Sequence, residues 1–97
     1  MNVYTDVMID LETLATEPNA VITVISAIKF NRTNLVESLQ ECDKFYRRID
    51  LDSCRFLGMV EDNKTINWWK SQSSTARYEA LENPDRVPIK QALFEFS

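Results

Sequence analysis

Asp10 and Glu12, which close the run Val7-Met8-Ile9-Asp10-Leu11-Glu12, are the acidic side chains whose spacing most suggests chemistry. A short apolar run ending in charge reads as a buried strand whose C-terminal end emerges at an edge. Residues two apart in a strand point to the same side, so both carboxylates face one point. Adjacent like charges raise each other's pKa unless something positive sits between them, and a divalent cation is the natural neutraliser. Magnesium usually takes one or two protein carboxylates together with substrate phosphates, which makes Asp-x-Glu on a strand a sensible half-site. The pair is also frequent by chance, and the plainer reading is a solvated strand end.

Asp50 and Asp52 form a rival pair. A helical pattern follows them, so capping and turn formation explain them better than chemistry does. Asp43, Glu61 and Asp62 read as solvated charge. Trp68-Trp69 is the other unusual feature. Neighbours in a helix point about 100° apart, so one of the two at most faces squarely inward. Ile66 and Trp69 share a face at i, i+3, which makes Trp69 the core residue and leaves Trp68 partly free. A free indole either packs on another helix or stacks on a nucleobase. Lys64, Lys70 and Arg77 lie near enough in sequence to line a phosphate path.

The elements that must position these residues change character along the chain. Val21 to Phe30 is nearly continuous in β-branched and apolar residues, as expected of a central strand covered on both faces. Asn31 to Asn34 makes a polar turn, and Lys44 to Ile49 alternates as a third, more exposed strand. Together with the first strand these form a β-meander. Leu51 to Met59 is a short helix with Asp52 or Ser53 as its cap and Gly58 near its end. Thr65 is a plausible N-cap for Ile66 to Ser71, and Ser73 or Ser74 for Thr75 to Glu82, before Asn83-Pro84 breaks the chain. Pro88 suits a first helical turn, and Ile89, Ala92, Leu93 and Phe96 fall at i, i+3, i+4 and i+7. That helix either packs on the three strands or belongs to the front part of a larger α/β domain.

A chain of 97 residues that is 44% hydrophobic and 27% charged is one small globular domain, or part of one. Eleven basic and 15 acidic residues give a net charge of −4, which argues against a purely electrostatic grip on nucleic-acid phosphates but not against binding through metal ions. With no histidine, site chemistry falls to carboxylate, hydroxyl, amine and thiol. Cys42 and Cys54 have no metal-ligand spacing and read as reduced thiols. The N-terminus lacks a cationic, cleavable leader and no stretch is long enough to span a bilayer, so the expectation is a cytoplasmic protein without membrane contact.

Taken in order, these pieces resemble a known family. Asp10-Leu11-Glu12-Thr13-Leu14, Pro18-Asn19-Ala20-Val21-Ile22 and the strand through Phe30 look like the start of a DEDD-type 3′-5′ exonuclease. Asp52-Ser53-Cys54 to Gly58, then Thr65-Ile66-Asn67-Trp68-Trp69-Lys70-Ser71-Gln72-Ser73 and Ala76-Arg77, are similar to the phage and prophage exonuclease VIII-like group. The resemblance implies an α/β, RNase H-like fold, of which residues 1–97 form the N-terminal part: a three-stranded antiparallel sheet followed by helices, α+β when taken alone. It implies removal of nucleotides from the 3′ end of single-stranded DNA or RNA by a two-metal mechanism using Mg2+ or Mn2+. Asp10 and Glu12 are then catalytic and metal-binding, with Thr13 and Leu14 near the terminal nucleotide; Trp68 joins them as a substrate-binding residue on its own stacking argument. The family also uses two further aspartates from later motifs, which these 97 residues do not contain, so the expectation is a partial exonuclease domain with weak or no activity by itself. The alternative expectation is a non-catalytic binding protein that reuses the fold, forming a homo-oligomer through the sheet edge or the C-terminal helix.

Overall fold

The computed structural model describes residues 4–34 and 43–97. The fold is mixed α+β, with a three-stranded antiparallel sheet followed by helices. Strand β1 (Asp6–Thr13) pairs with β2 (Ile22–Phe30), which pairs with β3 (Lys44–Arg48), in the order β1-β2-β3. A 3-10 turn at Arg32–Asn34 follows β2, and the Arg32 guanidinium reaches back to the Asp6 carboxylate at 2.6 Å. The β-branched content of β2 suits its central place, and Thr23, Val24, Ile25 and Ala27 are all buried.

The register of β1 on β2 slips at one point. Glu12 lies opposite Val24 but Thr13 lies opposite Ile22, so Thr23 is an extra residue on β2. Its hydroxyl donates to the Ala80 carbonyl at 2.7 Å in a buried position, which ties the bulge to the helical layer. Bulges of this kind bend a strand and re-aim the side chains beside it.

The expected burial of Val7-Met8-Ile9 is not found. Val7, Met8, Ile9 and Leu11 are all exposed, with Met8 at 58%. The reason lies in where the helices gather. The core is built from Leu14, Val21, Ile25, Ile49, Cys54, Trp69, Ala80, Ile89 and Ala92, at the end of the sheet where β1 finishes and β2 begins. The first residues of β1 form an uncovered edge beyond it.

Helix α1 (Leu51–Phe56) is capped by Asp50, not by Asp52 or Ser53. The Asp50 carboxylate accepts from the Asp52 N–H at 3.2 Å, while the Asp52 carboxylate pairs with Arg55 at 2.8 Å. The Ser53 hydroxyl donates to the Asp50 carbonyl and accepts from the Ile89 N–H at 3.0 Å, joining α1 to the last helix. Gly58 adopts φ +80°, the left-handed conformation that ends helices cheaply only at glycine. Helix α2 (Asn63–Lys70) begins two residues before Thr65, because Asp62 caps it by accepting from the Lys64 N–H at 3.0 Å. Asp62 is therefore a cap and not merely solvated charge, and Glu61 pairs with Arg55 at 3.0 Å.

Ser73 caps α3 (Ser74–Arg77) through the Ala76 N–H, as its sequence position suggests, and the chain then widens into a π turn over Tyr78–Glu82. Pro88 precedes helix α4 (Ile89–Phe96) at the cap position and does not occupy its first turn. Ile89 and Ala92 are buried and Phe96 packs edge-on against Phe45 at 5.3 Å, but Leu93 of the expected stripe is exposed. Cys54 is a buried free thiol, its pKa raised chiefly by burial; Cys42 lies outside the described residues. No helix among the described residues is long and apolar enough to cross a membrane.

Candidate functional site

Asp10 and Glu12 occupy alternate positions of β1 and so share one face of the sheet. Asp10 lies opposite Ser26, which lies opposite Tyr46; Glu12 lies opposite Val24, which lies opposite Arg48. Two cross-strand rows thus run from the acidic pair, one polar throughout (Asp10, Ser26, Tyr46) and one that passes over the buried Val24 to Arg48. Asp10 is exposed, whereas Glu12, one residue before the bulge, is partly covered. Burial, reinforced by the Asp10 charge, raises the Glu12 carboxyl above its ordinary pKa. The site therefore disfavours two bare negative charges, the condition that a bound dication relieves. Both donors are oxygen and the pair faces water, which fits a hard cation that keeps part of its hydration. No group of three or more potential ligand side chains occurs among the described residues, so the pair stands as two donors.

The far end of those rows is held by a network. Glu79, on the π turn, accepts from the Tyr46 hydroxyl and the Arg48 Nε, both at 2.7 Å, and from the Asn83 amide at 2.9 Å. These donors hold its carboxyl down at about 2, with the Arg48 hydrogen bond the largest cause. Burial and the Glu79 contact raise the Tyr46 phenol, and the Glu12 charge adds to the effect across the sheet. Arg86 secures the same corner by donating to the carbonyls of Thr23, Ile49, Glu79 and Asn83 at 2.7–3.1 Å. No periodicity in the sequence points to Glu79 or Arg86, since their partners lie on other elements.

On the side of α2, Thr13, Leu14 and the tryptophans are fixed together. The Trp69 indole N–H donates to the Thr13 carbonyl at 2.9 Å, and the Thr13 hydroxyl donates to the Ala15 carbonyl at 2.8 Å. Leu14 sits in the core, while its carbonyl accepts from the Asp62 N–H at 2.8 Å and its own N–H donates to Val21 at 2.9 Å. Trp69 is 8% exposed and Trp68 is 55% exposed, the division that their angular spacing implies. The two rings meet edge to face at 4.8 Å and 77°.

Between the end of β1 and α2 lies an open cleft of about 640 Å³, lined by Glu12, Thr13 and Thr16 on one side and Asp62, Lys64, Thr65, Trp68 and Trp69 on the other. Glu12, Thr13 and Trp68 therefore come together at one place, with Asp10 on the same sheet face as Glu12. Leu14 underlies the site from the core. Of the cations suggested for a phosphate path, Lys64 lines the cleft, and Arg77 pairs with Glu82 at 3.8 Å.

The family model described as the 3′-5′ exoribonuclease Rv2179c-like domain matches residues 5–97. Neither a curated protein nor a solved structure matches the chain.

Proposed function

The chain belongs to the 3′-5′ exoribonuclease Rv2179c-like domain family, and from that premise we propose that it forms the metal-binding front of a DEDD-type, RNase H-like 3′-5′ exonuclease, related to the phage exonuclease VIII-like group. Its substrate is a nucleic-acid 3′ end, and its reaction is hydrolysis of the terminal phosphodiester. The observation that carries this reading is the placement of Asp10 and Glu12 on one sheet face beside an open cleft. Asp10 and Glu12 hold Mg2+ or Mn2+, which when bound neutralises phosphate charge and makes water a better nucleophile. Thr13 lines the cleft next to Glu12, Leu14 anchors that stretch of chain from beneath, and Trp68 offers an aromatic face to the substrate. Two acidic ligands of the four in the family pattern give weak activity, or none, to these 97 residues alone. The working compartment is the cytoplasm.

The test begins with binding. Titration with Mn2+ should selectively broaden the amide resonances around Asp10 and Glu12, and Asp10→Asn should abolish that selectivity. A 3′-labelled single-stranded RNA incubated with Mn2+ should show any shortening depend on Asp10. Resonances that stay sharp through the titration, or shortening that survives Asp10→Ala, count against the site.

A second reading is favoured by Val7, Met8, Ile9 and Leu11, which leave the β1 edge apolar and uncovered. An exposed strand of this kind suits association, so a binding protein or homo-oligomer joined at β1 or α4 is the alternative. Light scattering separates the two, because a strictly monomeric chain at high concentration removes the support for it.

A further inference from the structure

We infer that Glu79 is a positioning residue for the acidic pair: by holding the Arg48 guanidinium to itself, it keeps that cation from neutralising Glu12 and leaves the pair open to a divalent ion. This rests on the metal-site reading for the identity of the ion, while the hold on Arg48 stands on the hydrogen bonds alone. Glu12 is partly covered and has no hydrogen bond or ion pair among the described residues. Burial and the Asp10 charge both act against its ionisation. A carboxylate in that state is stabilised by any cation that reaches it.

Arg48 is the cation placed to do so. It occupies the β3 position of Glu12's own cross-strand row, on the same sheet face, with Val24 between them. Two strand spacings separate the backbones, about 10 Å, a gap that an extended arginine and a glutamate close between them. Arg48 turns instead to the π turn, where its Nε donates to Glu79 Oε2 at 2.7 Å. The same oxygen takes the Tyr46 hydroxyl at 2.7 Å, and Oε1 takes the Asn83 amide at 2.9 Å. Three donors make Glu79 the better acceptor, whereas Glu12 has none to support it. Asp85, 4.0 Å from Arg48 and 91% exposed, adds little to the hold. Arg32 is held in the same way by Asp6 at the other end of β1. Lys64 lines the cleft with Glu12, but a hydrated ammonium yields to a dication more readily than a planar guanidinium, which can take a carboxylate by two parallel bonds. Arg48 released onto Glu12 would therefore occupy the oxygens that the ion needs.

The experiment titrates Mn2+ alone into the 97-residue protein and reads affinity from the broadening of amide resonances around Asp10 and Glu12. Glu79→Ala should weaken Mn2+ about two- to fivefold, the scale of one partly exposed ion pair. Adding Arg48→Leu to Glu79→Ala should restore the parent affinity, a rescue that a merely structural role for Glu79 would not give. Without metal, Glu79→Ala should show a nuclear Overhauser contact between the Arg48 and Glu12 side chains that the parent lacks. The Trp69 indole resonance, kept in place, verifies that the variants fold. Glu79→Gln, which keeps an acceptor without the charge, should shift the affinity the same way by less. Equal Mn2+ affinity in the parent and Glu79→Ala, or a double variant as weak as Glu79→Ala, overturns the inference and leaves the metal site standing. Absence of the Arg48 to Glu12 contact in Glu79→Ala overturns it as well. That contact in a protein that never takes Mn2+ supports the hold on Arg48 and counts against the metal-site reading.

Discussion

Glu79 shows how much one side chain can organise. It receives Tyr46, Arg48 and Asn83 at once, and its carboxyl falls to about 2 from an ordinary 4.5. A depressed carboxyl pKa contributes stability that is fully present above the unfolded value and is lost as pH falls through the folded one. Between pH 4.5 and 2 the protein should lose this contribution progressively. Both ion-pair partners keep roughly a quarter of their side-chain surface in water, so screening reduces the nominal value, and about 1–2 kcal/mol at neutral pH is expected. Urea denaturation of Glu79→Gln should show that loss at pH 7 and a flatter acid limb than the parent. Equal stability at pH 7 would mean that the network adds nothing. None of this is legible in the sequence, because Glu79 sits 31 residues from Arg48 and 33 from Tyr46. The split between Trp68 and Trp69 is legible, since it needs only the angle between neighbours in a helix.

At the scale of elements, caps decide where the helices begin. Thr65 and Asp62 both have a side-chain oxygen suited to an N-cap, and only the backbone tells them apart. Asp62 has extended dihedrals (φ −124°, ψ 127°) and accepts from Lys64 N–H, so the helix starts at Asn63. The consequence for the site is direct, because Lys64 and Thr65 then belong to α2 and face the cleft near its first turn. Asp62→Ala should cost about 1 kcal/mol in urea denaturation, whereas Thr65→Ala should cost clearly less. The reverse order would place the cap at Thr65 after all. The alternation of β3 and the β-branched density of β2 gave both strands from sequence, whereas the bulge at Thr23 did not announce itself. Its extra residue is held by a buried hydrogen bond to Ala80, 57 residues away.

At the scale of the whole molecule, the sheet is covered unevenly. The run Val7-Met8-Ile9 has the same composition whether buried or bare, so its exposure depends on where the helices settle and not on its own residues. Ile9→Lys tests this with little ambiguity. Placed on the uncovered part of β1, it should change stability by no more than about 0.5 kcal/mol and reduce any self-association seen by light scattering. A loss of several kcal/mol would show that Ile9 packs against something. The acidic pair, the cleft and the exposed indole all lie near the end of β1 that the core supports. The part of the strand that carries the acidic pair is thus the part that leads into the core.

The hydrogen bond from the Trp69 indole to the Thr13 carbonyl has a kinetic side. Its proton is held, partly buried, in the joint between strand and helix, so its exchange with solvent is slowed until that joint opens. The lifetime of this single indole proton in heavy water thus clocks the opening of the site. A nucleotide that closes the cleft should lengthen it without any change in the helices themselves.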